Sequence, residues 1–235
     1  RGISGIRGIV NESLTDPMIA SHTQAFSALQ NSGEILLARD SRAHGASFIH
    51  TAAEALTGCG RDVINYGIIP TPTAQFLVEK NNMAGGIVVT ASHNPTEWNG
   101  LKFIDANGCF LDNEQNRELF EIADSKPVQN YKTGLVQSIE NGYLPHVGHT
   151  RDLTVIDGEA IEKRNFTIVV DAVNGAASKA LPTMVEALGC TVHRLFCEPD
   201  GKFPRGTEPL YHNLKDLGDA VRNHNADAGF ATDPD

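Results

Sequence analysis

A layered α/β fold with largely parallel sheets, laid down twice along the chain, is what this sequence predicts. Short apolar runs of strand length alternate with helical apolar stripes. The alternation restarts past the middle, and both halves use the same order of strand, polar turn and helix. Asp16-Pro17 reads as an N-cap followed by proline at the first helical position, and Ile19, Phe26 and Leu29 share one face of the helix that ends by Gly33. A strand over Ile35 to Ala38 follows, then a helix from about Ala46 to Thr57 with Ile49, Ala52, Ala53 and Leu56 together, then a strand around Val63 to Tyr66. The rigid run Ile69 to Thr73 leads into a helix reaching Asn82 and a strand over Gly86 to Thr90. Asn99-Gly100 and Asp105-Ala106-Asn107-Gly108 read as turns of hairpin excursions at the sheet edge.

Residues 125–134 are polar and proline-interrupted, a helix is expected from about Tyr143 to Ile156, and a boundary falls near residue 155. The pattern then restarts with strand Phe166 to Val170, helix Ser178 to Leu188 and strand Thr191 to Leu195. A proline-rich loop, helix Leu214 to Asn223 and strand Ala228 to Ala231 complete it.

Composition narrows the chemistry. The 235 residues are 40% hydrophobic and 20% charged, an ordinary globular balance with enough length for a core. A net charge of −10 argues against a nonspecific nucleic-acid or anionic-membrane surface, so any phosphate site must be local. The longest apolar runs are far too short to span a bilayer and no signal-peptide pattern opens the chain, which predicts a soluble, cytoplasmic protein. Cys59, Cys109, Cys190 and Cys197 form no CxxC pair and are expected reduced; no HExxH is present. The chain begins without Met and closes in an acidic turn, which predicts a piece of a longer protein.

The segment Gly86 to Pro95 is the most informative. A buried strand ends in small and polar residues, and Asn94-Pro95 blocks its continuation, so Ser92 is presented at the carboxyl edge of the sheet, where α/β sites form. A nucleophile and a polar capping turn both fit this pattern; the GxSxG elbow of serine hydrolases is absent. Lys102 alternates with Leu101 and Phe103 and would face the side opposite to them, either as a phosphate ligand or proton carrier near Ser92 or as a solvated edge lysine. Asp233 and Asp235, one residue apart after a short strand, can converge on a hard cation such as Mg²⁺ or decorate a solvated turn. Ser4-Gly5-Ile6-Arg7-Gly8 and Arg39-Asp40-Ser41-Arg42 have the composition of an anion clamp, with a frayed terminus and a surface salt bridge as the respective alternatives. The loop Asp200 to Pro209 reads first as a domain connection and second as a phosphate loop.

Taken together these residues resemble the α-D-phosphohexomutase family: phosphoglucomutases, phosphomannomutases and phosphoglucosamine mutases. The resemblance runs the length of the chain. Ser4 to Gly8 resembles the family's SGIRG opening, Arg39 to Arg42 its RDxR, and Pro70-Thr71-Pro72 its PTP. Thr90 to Pro95 is identical to its active-serine TASHNP, and Asn99 to Lys102 resembles its NGxK. Asp171 with Asn174-Gly175, the Phe203 to Pro209 loop and Asp233-Pro234-Asp235 fall where the family has its second-domain elements.

The resemblance implies two consecutive three-layer α/β/α domains with mixed, largely parallel sheets, residues 1–154 carrying a phosphoserine loop and residues 155–235 a metal loop. It further implies a phosphomutase that interconverts hexose 1-phosphate and hexose 6-phosphate, on glucose or mannose, with a sugar bisphosphate as intermediate and activator. Ser92 would carry the phosphoryl group, with His93, Lys102 and Arg7 as its catalytic companions. Arg7, Asn94 and Lys102 would bind phosphate. Mg²⁺ would sit on Ser92, Asp233, Asp235 and a third aspartate beyond them. Sugar selection and substrate-phosphate binding would belong to two further domains of the same chain. Phosphoglucosamine mutase and a catalytically silent phosphosugar-binding fragment are the alternatives. Pro234 replaces the glycine common in the metal loop, which predicts a stiffer turn that can still converge its carboxylates; Ile3 replaces a threonine and Ala38 a glycine, and neither removes a ligand.

Overall fold

The computed structural model describes residues 1–2, 4–125 and 133–235. Ile3 and most of the polar segment 125–134 lie outside them. In the first half, β1 (Ile6–Ile9), α1 (Asp16–Leu29), β2 (Ile35–Arg39), α2 (Gly45–Gly58), β3 (Val63–Ile68), α3 (Thr71–Lys80), β4 (Gly85–Val89), β5 (Trp98–Ile104), α4 (Asn113–Asp124) and β6 (Val136–Ser138) follow one another. Their sheet has the order β1-β5-β4-β2-β3-β6. β4, β2, β3 and β6 run parallel, while β5 is antiparallel to both β1 and β4.

The sheet is covered on both faces, as a period of two requires of buried strands. Ile35, Leu37, Ile87, Val89, Leu101 and Phe103 join Ile19, Phe26, Ile49 and Leu56 on one side. Leu36, Ala38, Val88 and Ile104 join Ala74, Leu77 and Val78 of α3 on the other. Lys102 alternates with Leu101 and Phe103 as expected, but it lies on an interior strand, not at an edge.

Asn99-Gly100 is no hairpin turn. Both residues are inside β5, paired with Gly8 and Arg7 of β1, and a Cβ on Gly100 would collide with the Ile6 carbonyl oxygen. The glycine is needed for close strand approach. Asp105 to Gly108 is the turn expected, closed by Asp105 N donating to Cys109 O at 2.8 Å. The cap of α1 is Thr15, with Asp16 in the first turn.

The second half contains α5 (Leu144–Arg151), α6 (Gly158–Arg164), β7 (Thr167–Asp171), α7 (Ala177–Ala187), β8 (Thr191–Leu195), α8 (Lys215–Asn223) and β9 (Ala228–Ala231). The single helix expected over 143–156 is shorter, stopping at Arg151, and α6 follows as a separate helix. The sheet β8-β7-β9 is parallel throughout. Ile168 and Val170 face Val185 of α7, whereas Leu217 and Val221 of α8 pack at Gly229, whose register partner is Val169. Three layers therefore recur. Among the described residues no helix is long and apolar enough to cross a membrane.

Candidate active site

The site is built on the carboxyl ends of parallel strands. Beyond β4, Thr90 is fully buried; its hydroxyl donates to Asp40 Oδ2 at 2.7 Å and accepts from Ser92 N at 2.9 Å. Ser92 is thereby turned into the left-handed region, φ 54°, a conformation that costs a non-glycine residue roughly 1–3 kcal/mol and persists only where its surroundings impose it. Arg42 imposes it from below. Its Nη2 donates to Ser92 O at 2.8 Å and Asn94 O at 2.7 Å, and its Nη1 to Pro95 O and Trp98 O. Its Nε donates to Asp40 Oδ2 at 3.0 Å. Burial pushes the Asp40 carboxyl up, opposed by the Arg42 charge and by hydrogen bonds from the Arg42 backbone and Thr90. The anion-clamp expectation for Arg42 is thus corrected: its guanidinium is consumed by backbone carbonyls and one carboxylate, with the residue 1% exposed.

The acidic turn arrives from the other half. Thr232 N donates to Asp171 O at 3.0 Å as β9 ends, and the chain then brings Asp233 Oδ2 to 3.3 Å from Ser92 Oγ, which donates to it. Asp235 Oδ2 accepts from Thr71 Oγ1 at 2.9 Å and from Lys102 Nζ, while Thr71 N donates to Asp235 O at 2.7 Å. Burial first and the neighbouring Asp235 charge second push the Asp233 carboxyl up. Burial acts the same way on Asp235, but the Lys102 ammonium and hydrogen bonds from Lys102, Thr71 and Ser92 outweigh it and hold that carboxyl below its usual value. Two carboxylates of unequal basicity therefore face one hydroxyl. Among the described residues, no group of three or more His, Cys, Asp or Glu side chains is placed to hold a metal ion.

Of the residues singled out in the sequence, Ser92, Lys102, Asp233 and Asp235 come together directly. Arg7 and Asn94 form a second pair beside them: Arg7 Nη1 donates to Asn94 Oδ1 at 3.2 Å and Nη2 to Ser4 Oγ at 3.1 Å. His93 is half exposed with Nε2 at 3.4 Å from Glu208 Oε1, and its carbonyl accepts from Thr207 Oγ1. The 200–209 loop so reaches the serine loop, while Arg205 within it is buried against Asp171 at 2.6 Å. The sequence reading gave no role to Thr71 or Thr90, and it placed Arg205 only in a loop read first as a domain connection and second as a phosphate loop. Thr71 lay in the PTP run and Thr90 in the serine motif, so both were visible as residues; nothing local announces their partners 164 and 50 positions away.

Comparison with known proteins shows the family. The phosphoglucomutase/phosphomannomutase α/β/α domain I matches residues 1–129 and domain II matches residues 141–235. A Methanopyrus kandleri protein named a probable phosphoglucosamine mutase is 37% identical over all of this chain and 51% of its own length. A Thermococcus kodakarensis protein named phosphoglucomutase/phosphomannomutase is 36% identical over all of this chain and 53% of its own. The crystal structure of a phosphoglucomutase/phosphomannomutase family protein from Burkholderia thailandensis superposes with a TM-score of 0.82 at 28% identity, covering 99% of this chain and 52% of that one. The chain spans about half the length of the curated relatives it matches. With both matched domains in order and together accounting for nearly all of its residues, the chain belongs to the phosphoglucomutase/phosphomannomutase family.

Proposed function

We propose that this chain supplies the phosphoryl-carrying half of a phosphohexomutase site, with residues 1–154 and 155–235 as its two domains. The observation that carries the reading is the 3.3 Å contact between Ser92 Oγ and Asp233 Oδ2, made by residues 141 apart in sequence. A part-buried hydroxyl on a left-handed backbone beyond the carboxyl end of β4, facing carboxylates from a second module, suits phosphoryl transfer, which depends mainly on position and charge.

The substrate is a hexose phosphate, glucose or mannose. Its free hydroxyl attacks the phosphorus on Ser92, the new O–P bond forms as the Ser92 Oγ–P bond breaks, and the hydroxyl proton passes to a base. The half-exposed His93 is the proposed base. The resulting bisphosphate turns over, Ser92 takes back the other phosphoryl group, and His93 returns the proton. Arg7 and Asn94 hold phosphate oxygens beside the loop. Lys102 serves as the charge partner of Asp235 and as a phosphate contact.

Ser92 Oγ, Asp233 and Asp235 are hard oxygen donors, and the upward push on Asp233 from Asp235 marks a site that gains from added positive charge. These residues would hold Mg²⁺, which when bound neutralises charge on the transferring phosphate. The intact protein, given Mg²⁺, a catalytic amount of hexose 1,6-bisphosphate and glucose or mannose 1-phosphate, is expected to yield the 6-phosphate; no turnover by folded protein favours a silent phosphosugar-binding role. The name of the Methanopyrus relative favours a second reading, glucosamine phosphate as substrate, which the same assay with that sugar separates.

A further inference from the structure

The two halves carry the same device at the ends of their central strands. β2 runs into Asp40, whose Oδ1 accepts from Arg42 N at 2.9 Å and whose Oδ2 accepts from Arg42 Nε at 3.0 Å. β7 ends in Asp171, whose Oδ1 accepts from Val173 N at 2.9 Å and whose Oδ2 accepts from Arg205 Nε at 2.6 Å. Both aspartates are fully buried, and the arginine side chains are 0% and 2% exposed. Each guanidinium then reaches past its aspartate to the loop that leaves the neighbouring parallel strand. Arg42 takes Ser92 O and Asn94 O after β4, and Arg205 takes Thr232 O after β9. One brace therefore holds the serine loop and the other the acidic loop.

The braces are joined. Ser41, between Asp40 and Arg42, donates through Oγ to Asn174 O at 2.6 Å, within the turn that Asp171 opens. Val173 and Asn174 in that turn are both left-handed, φ 48° and 56°, so the contact is held against backbone strain. A single strap of the second half spans both devices. Gly201, φ 70°, lies so close to Ser41 that a Cβ would strike its carbonyl oxygen. The buried Phe203 ring covers the Arg42 guanidinium at 5.0 Å, and Arg205 follows two residues later.

We propose that Arg42 and Arg205 are paired positioning residues that set the Ser92 loop in register with Asp233, coupled through Ser41–Asn174 and the 201–205 strap. The coupling stands on these contacts alone; its consequence for phosphoryl transfer rests on the function proposed above.

Amide hydrogen exchange on the intact protein tests it. Arg205 makes no contact with the serine loop in its hydrogen bonds, so Arg205→Lys is expected to speed exchange about threefold or more in residues 91–98 as well as around 231–235. Acceleration confined to the surroundings of Asp171, Gly206 and Thr232 overturns the coupling. Should Arg205→Lys fail to fold, Phe203→Leu keeps the strap and removes the ring over Arg42; unchanged exchange in 91–98 then overturns it equally.

A second readout follows Ser92 labelling by hexose 1,6-bisphosphate. Arg205→Lys is expected to lower the rate at saturating bisphosphate about tenfold while leaving the half-saturating concentration unchanged, as a positioning role requires. Cross-loop acceleration in Arg205→Lys, together with a wild-type protein that never labels, supports the braces and removes the phosphoserine reading. Labelling with strictly local exchange effects does the reverse.

Discussion

Ser92 combines two properties that pull apart stability and function. Its φ of 54° is strained for any residue with a Cβ, while its hydroxyl is the group aimed at Asp233. Ser92→Gly is therefore expected to be about 0.5–1 kcal/mol more stable than Ser92→Ala in urea unfolding, with neither variant able to accept a phosphoryl group. Equal stability of the two would show that the left-handed backbone carries no strain. Asp233→Asn is expected to leave the fold intact and to cut Mg²⁺-dependent labelling of Ser92 by about tenfold or more, measured as a rate.

A different residue sets an acid limit on the fold. Burial pushes the His22 imidazole below its ordinary 6.5, and its Nδ1–H donates to Met18 O at 2.8 Å while Nε2 is buried with no hydrogen-bond partner among the described residues. With the folded-state value depressed, the unfolded chain binds the proton more readily. The stabilisation is full above the ordinary value and drains away as pH falls through the folded one. The thermal midpoint is expected to drop between about pH 7 and 5, and less steeply in His22→Gln. An unchanged slope would remove His22 as the cause.

At the scale of elements, strands and helices with strong periodicity were legible in the sequence. β8 and β9 run over the same residues as expected, and β2, β4, α2 and α7 differ by a residue or two at their ends, because alternate burial leaves a mark in composition. β1 was not legible: four residues that follow Gly5 and include Gly8 look like an anion loop, and only their pairing with β5 makes them a strand. Asn99-Gly100 misled for the converse reason, since its glycine answers the close approach of another strand and not a turn.

The α4 helix had a readable start that went unused. Asp112 accepts from Gln115 N at 2.9 Å and Gln115 Oε1 accepts from Asp112 N at 2.9 Å, a reciprocal cap. Asp112→Ala is expected to lower stability by about 1 kcal/mol in urea unfolding; no change would mean that α4 is held by packing alone.

For the whole molecule, the residues of the candidate site were legible as types: Ser92, His93, Asn94, Asp233 and Asp235 follow strand ends in polar, proline-marked turns, while Lys102 and Arg7 are single charges within the strands β5 and β1. Their assembly was implied by the family resemblance, which grouped Ser92 with Asp233 and Asp235, and not by the local pattern of the residues. Asp233 meets Ser92, and Asp235 meets Thr71 and Lys102, only because two separately wound sheets point their carboxyl ends at each other. The buried arginines were misread because a guanidinium holding backbone carbonyls has the same local sequence as one awaiting a phosphate.

The central claim is that Ser92, at this junction, is the phosphoryl carrier. Its most direct measurement is phosphopeptide mapping of the intact protein after brief exposure to hexose 1,6-bisphosphate and Mg²⁺, with Ser92→Ala alongside. Phosphate on the peptide holding Thr90 to Pro95, and none in the variant, is the predicted result. Phosphate on another residue, or equal labelling of the variant, would contradict it.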